Sequence, residues 1–196
     1  MGNARQTNRR GGIRSWVSVR DEIVRHLTED RSRYVSTMVD YYALPGDPKR
    51  PERAWPGRFE ANELPFSAKA RSIETKLQEA IAIKMGNAWN PRWFIPYVMM
   101  HEFEAMLFSD CQMFARNLGR EDLTEAFQSI RDSFSCPEEI NDSEETSPSH
   151  RVTNLVRRYK KPLDGVDAAE AIGLDTIRKE CPGFRWWLEQ LESLAE

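Results

Sequence analysis

Apolar positions recur at helical spacing soon after a polar opening. Trp16, Val19, Ile23 and Leu27 fall on one face and Ser15 stands where an N-cap belongs, which predicts an amphipathic helix over residues 16–29. The period then changes. Residues 34–39 are rich in β-branched and aromatic side chains and predict a short strand that delivers Asp40 at its carboxyl end. Residues 41–65 carry Pro45, Gly46, Pro48, Pro51, Pro56 and Gly57, the composition of a long irregular loop, and loops of that length inside a domain are usually functional or mobile. Over residues 67–85, Ile73, Leu77, Ala80, Ile81 and Lys84 mark one face of a second helix, closed by Gly86. Residues 93–100 form a nearly continuous apolar run, the pattern of a buried parallel strand, which ends at His101-Glu102-Phe103-Glu104.

The order helix, strand, helix, strand predicts a βαβ crossover, with Asp40 and the His101 run at one edge of neighbouring strands. In open α/β sheets ligands bind at that edge. Beyond Phe108 the pattern is helical, over 112–118, 122–134, 150–159, 166–172 and 184–194, with a polar, acidic, Ser-rich link at 141–149. The fold class expected is α/β: a small, partly parallel sheet flanked by helices, with a helical C-terminal half. Residues 1–14 read as a basic flexible tail, 15–110 as the α/β core and 111–196 as a helical region packed on it.

Composition narrows the function classes. A chain of 196 residues with 40% hydrophobic and 30% charged residues has the makings of one globular domain. No apolar run approaches the ~20 residues that span a bilayer, and the basic, polar start offers no signal peptide, so no membrane role and a cytoplasmic location are expected. Cys111, Cys136 and Cys181 are odd in number and widely spaced, which favours reduced thiols over a disulfide framework or a zinc site. No Gly-rich phosphate loop is present, so ATP binding by this chain is not expected.

The net charge of -3 hides segregation. Arg5, Arg9, Arg10 and Arg14 precede any acidic residue, and Arg151, Arg157, Arg158, Lys160 and Lys161 form a second basic run, with an acidic stretch from Glu121 to Glu145 ahead of it. Such segregation suits docking of DNA, RNA or a partner subunit, although solvated helix faces also produce it.

The constellation that can carry chemistry is Asp40, His101, Glu102 and Glu104. Carboxylate oxygens at one sheet edge suit Mg²⁺ or Mn²⁺, and such an ion beside a scissile phosphate stabilises charge and activates water. The spacing excludes an HExxH zinc protease. Each residue also has a structural reading. Asp40 can open a loop as an Asx-turn, Glu102 and Glu104 can favour the first turn of a helix, and His101 can satisfy a backbone carbonyl.

Two stretches, residues 37–45 (TMVDYYALP) and 95–110 (IPYVMMHEFEAMLFSD), resemble the signature stretches of a bacterial family labelled domain of unknown function 4276. Asn141-Asp142, Pro148-Ser149-His150-Arg151, Tyr159-Lys160-Lys161, Gly173-Leu174, Ile177-Arg178 and Cys181-Pro182-Gly183-Phe184 with Trp187-Leu188 are similar to its C-terminal pattern. The resemblance implies a Toprim-like core related to nucleases of the overcoming-lysogenization-defect kind, encoded beside ATPase genes in phage-defence neighbourhoods. It implies an Mg²⁺-dependent nuclease, or nuclease-derived, subunit of a bacterial antiviral system, with an ATPase partner and a nucleic-acid substrate.

In that reading Asp40 and Glu102 bind metal and Glu104 assists as ligand or base. His101 orients groups or shuttles a proton, and Arg14 with the run Arg151, Arg157, Arg158, Lys160 and Lys161 holds phosphates. The family's usual opening, a strand leading to a Val-Glu-Gly-like turn that bears a Glu, has no counterpart here, and Gly11-Gly12 resembles a point well inside the typical domain. The resemblance therefore implies a core without its first strand and first carboxylate, either truncated or lost. A non-catalytic interaction subunit of an ATPase-containing complex is the alternative, and homo-oligomerisation stays open.

Overall fold

A computed structural model describes residues 13–46, 49–50, 53–100, 102–140 and 147–195. Residues 1–12 of the tail expected at 1–14, the catalytic expectation placed on His101 and most of the acidic link, 141–146, lie outside the described residues.

Helix α1 spans Trp16–Glu29 and buries Trp16, Ile23 and Leu27, the face that the apolar spacing predicts; Ser15 sits at the N-cap position without a side-chain capping bond. Strand β1 (Val35–Asp40) follows, then a loop that holds two single 3₁₀ turns, Tyr41–Ala43 and Glu60–Glu63. Helix α2 (Phe66–Met85) buries Ile73, Leu77 and Ile81 and ends at Gly86, whose φ of 59° is the left-handed geometry that glycine adopts without a Cβ penalty. Strand β2 (Phe94–Met99) returns parallel to β1, with Val35 opposite Phe94 and Asp40 opposite Met99. Among the described residues the sheet has these two strands alone.

A two-stranded parallel sheet leaves strand edges that need hydrogen-bond partners. On β2 two side chains of α2 meet that need: Gln78 Nε2 donates to Phe94 O at 2.9 Å and Glu74 Oε1 accepts from Val98 N at 3.0 Å. Pro96, between them, has no N–H to satisfy. The crossover helix thus serves as both cover and edge for β2.

Side-chain alternation on β2 divides the interior in two. Phe94, Val98 and Met100 join the cluster formed with Trp16, Ile23, Leu27, Trp55, Ile73, Leu77 and Ile81. Tyr97 turns the other way, into a cluster with Leu107, Phe108, Phe114, Phe127, Ile140, Val152 and Cys181. That second cluster belongs to the helical half: α3 (Cys111–Asn117), α4 (Thr124–Asp132), α5 (Pro148–Leu155), α6 (Lys161–Ile172), α7 (Leu174–Glu180) and α8 (Pro182–Glu192). Trp187 of α8 stacks on Tyr97 at 5.2 Å between centroids, and its Nε1 donates to Ser36 Oγ on β1 at 2.9 Å, so the last helix is tied to both strands. Helix α7 has no counterpart among the elements expected from the sequence. The fold is mixed α/β, a small parallel sheet flanked by helices with a helical C-terminal half, as the patterning predicts.

Candidate functional site

Asp40 is the last residue of β1, and its Cα partner Met99 is the last residue of β2. Both strands therefore run out at one edge, and the chain beyond β2 soon arrives at Glu102. Asp40 Oδ1 accepts from Tyr42 N at 2.8 Å, which is the Asx-turn geometry that a carboxylate at a strand end favours. Burial pushes the Asp40 carboxyl above its ordinary range; the N–H groups of Tyr42 and Ala43 oppose that, and the Glu102 charge adds to it.

After β2 the chain turns into a 3₁₀ segment, Phe103–Ser109, with Glu102 at its N-cap position and Glu104 in its first turn. Negative charge is favourable there, so local structure accounts for the presence of the acids, though not for what surrounds them. Glu102 Oε1 accepts from Lys161 Nζ at 2.8 Å, and Glu102 Oε2 accepts from Ser149 N, in the first turn of α5, at 3.0 Å. Burial alone would raise its pKa, but the bonds from Lys161 and Ser149 outweigh burial and hold the carboxyl below the usual range.

Glu104 is in a different situation. Its side chain is 1% exposed, Lys161 Nζ stands 3.5 Å from Oε2, and that oxygen makes no hydrogen bond. Burial pushes this carboxyl above the ordinary value. The hydroxyl of Tyr159 is buried beside the same carboxyl, and its pKa is raised by burial and then by Glu104. Gly165 of α6 allows this crowding, since a Cβ there would stand 3.0 Å from the Tyr159 hydroxyl.

Lys161, the first residue of α6, links these acids. Burial alone would lower its pKa, but Glu102 and Glu104 together raise it, so it stays an ammonium. Its charge also acts on Asp40. Lys161 therefore bridges Glu102 and Glu104 just beyond β2, while Asp40, at the end of β1, lies near enough to feel the charges of Glu102 and Lys161. Ser149 and Tyr159 have no place among the site residues expected from the sequence, and no spacing signal marks them. Their segments are distant in the chain and meet the acids only by tertiary packing.

The basic residues divide. Arg14 binds Glu22 and Ser18 of α1. The guanidinium of Arg151 lies 5.7 Å from the Phe134 ring centroid. Arg157, Arg158 and Lys160 are exposed and close in sequence to Lys161. Lys161 itself engages carboxylates.

Oxygen-rich surroundings suit a hard divalent cation. The residues present fit that chemistry: two carboxylates have raised pKa values, and Glu104 Oε2 is buried without a hydrogen-bond donor. As they stand, no group of three or more His, Cys, Asp or Glu side chains among the described residues is arranged to hold a metal ion. The position between Glu102 and Glu104 is taken by the Lys161 ammonium. No helix among the described residues is long and apolar enough to cross a membrane.

The sequence model of one family, described as a domain of unknown function (DUF4276), matches residues 2–192. No curated protein and no solved structure matches the chain.

Proposed function

The chain belongs to the DUF4276 family over nearly its whole length, and from that premise we propose that it is a Toprim-like, Mg²⁺-dependent nuclease subunit of a bacterial antiviral system, acting in the cytoplasm beside an ATPase partner. The observation that carries the reading is the placement of Asp40 at the carboxyl edge of two parallel strands with Glu102 and Glu104 in the chain just beyond that edge, one Glu104 oxygen being buried without a hydrogen bond. Asp40, Glu102 and Glu104 would hold the ion. When bound, Mg²⁺ or Mn²⁺ supplies charge stabilisation at a scissile phosphate and lowers the pKa of water.

The protein's own groups supply the rest. Asp40 is oriented by its bond from Tyr42 N, and Glu102 by its bond from Ser149 N, so both are preorganised before any substrate arrives. Glu104, with a pKa raised by burial, is suited to hold or move a proton. Arg157, Arg158 and Lys160 offer exposed cations for the phosphate backbone of DNA or RNA. The test is a cleavage assay on single- and double-stranded DNA and RNA with Mg²⁺ or Mn²⁺, using the chain together with its ATPase partner. Asp40→Asn and Glu102→Gln are expected to abolish cleavage. Absence of metal-dependent cleavage from the complex, with antiviral activity intact in both variants, rejects the enzymatic reading.

A second reading, a non-catalytic interaction subunit, is favoured by one observation. Leu163 and Val166 lie three residues apart on α6 and are 58% and 59% exposed, an apolar pair of the sort a partner covers. In that case Leu163→Glu removes partner binding and Asp40→Asn leaves function unchanged.

A further inference from the structure

The acidic cluster at the sheet edge already holds a cation of its own. Lys161 Nζ is 2.8 Å from Glu102 Oε1 and 3.5 Å from Glu104 Oε2, so one monovalent charge is shared by the carboxylates that a divalent ion would need. The other Glu102 oxygen is held by Ser149 N, and Glu104 Oε2 has no hydrogen bond to lose. An incoming ion therefore meets Lys161 as its competitor at both residues. The stem of Lys161 is built to yield. Its side chain is 51% exposed, and a four-carbon chain of that exposure reaches water by rotating a few bonds. Ser149, by contrast, acts through a backbone N–H in a helix and stays where it is.

We infer that Lys161 is the resident counter-cation of the cluster, and that a divalent ion enters only by displacing its ammonium from Glu102 and Glu104. The inference rests on the metal-dependent reading proposed above and adds to it how the site is kept closed without metal. Until an ion of sufficient concentration arrives, the acids are neutralised from within. After displacement, the freed ammonium adds an exposed cation to a segment that already carries Arg157, Arg158 and Lys160.

The test is calorimetric titration of the full chain with MnCl₂ at fixed ionic strength, comparing the natural sequence with Lys161→Met and Lys161→Arg. Removing the competitor is expected to tighten Mn²⁺ binding in Lys161→Met by about two- to fivefold, the scale set by one partly exposed ion pair. Lys161→Arg retains the charge and is expected to bind no more tightly than the natural chain. Equal or weaker affinity in Lys161→Met overturns the inference while leaving the metal reading standing; absence of Mn²⁺ binding in all three proteins overturns both.

A second measurement needs no substitution at the site. With lysines reductively ¹³C-methylated, the Lys161 signal is expected to move toward the shift of solvent-exposed lysines as Mg²⁺ is added. A signal unmoved at saturating Mg²⁺ also overturns the inference.

Discussion

Replacing Glu104 by Gln is expected to make the metal-free protein more stable. The Glu104 side chain is 1% exposed and its Oε2 accepts no hydrogen bond, although the carboxyl sits beside Lys161. Leaving a buried acceptor unsatisfied costs roughly 1–3 kcal/mol, and more when it is charged. Against this stands a 3.5 Å contact to an ammonium that is half in water, worth about 0–1 kcal/mol. The difference favours the neutral amide by roughly 1 kcal/mol, and the amide also offers a donor beside the Tyr159 hydroxyl.

For a chain of this size that corresponds to a rise in Tm of about 2–4 °C. The pH dependence has a definite sign. Because the folded-state pKa of Glu104 is raised, the native protein binds the proton more tightly than the unfolded chain, and this contribution to stability is lost as pH rises through the folded value. The amide of the Glu104→Gln variant does not titrate, so the advantage of the variant is expected to be small near the ordinary carboxylate value and to grow toward neutral pH. Scanning calorimetry in EDTA at several pH values measures both effects. A variant that melts below the natural protein at pH 7 would refute the reasoning, because it would make the Glu104–Lys161 contact a net structural support.

Burial elsewhere in the chain has consequences of the same kind. Glu74→Ala removes the acceptor for Val98 N at the buried edge of β2 and should destabilise by about 2–3 kcal/mol in urea unfolding, whereas Glu74→Gln, which keeps an acceptor, should stay within about 1 kcal/mol; equal losses in both would show that the carboxylate charge matters rather than the hydrogen bond. Burial pushes the thiols of Cys111 and Cys181 up to about 12, so iodoacetamide at pH 8 should leave both unmodified in the folded protein and label them in denaturant, and rapid labelling of either in the native state would contradict the packing.

Much of the fold can be read in one dimension because its determinants are periodic. Trp16, Ile23 and Leu27 lie on a helical face, residues 94–99 form an unbroken apolar run, and Gly86 ends a helix at a positive φ. Periodicity depends on neighbours in the chain, and physical chemistry acts on it locally. For the same reason the boundaries of β1 and β2 come out within a residue or two, while α7 and the 3₁₀ segment after β2 do not announce themselves.

The acids of the site are legible too, since two parallel strands joined by a helix must end on the same side. The α/β class, the two parallel strands and the placement of Asp40, Glu102 and Glu104 toward one edge all follow from the order of residues along the chain. Their surroundings came from packing between distant segments. Lys161 lies 59 residues from Glu102 and looks in sequence like one more basic residue in a run made for phosphates. Its partners were chosen by the packing of α5 and α6 against the sheet edge, because the strength of a charge interaction depends on distance and burial in space, and neither is encoded in the spacing of residues along the chain.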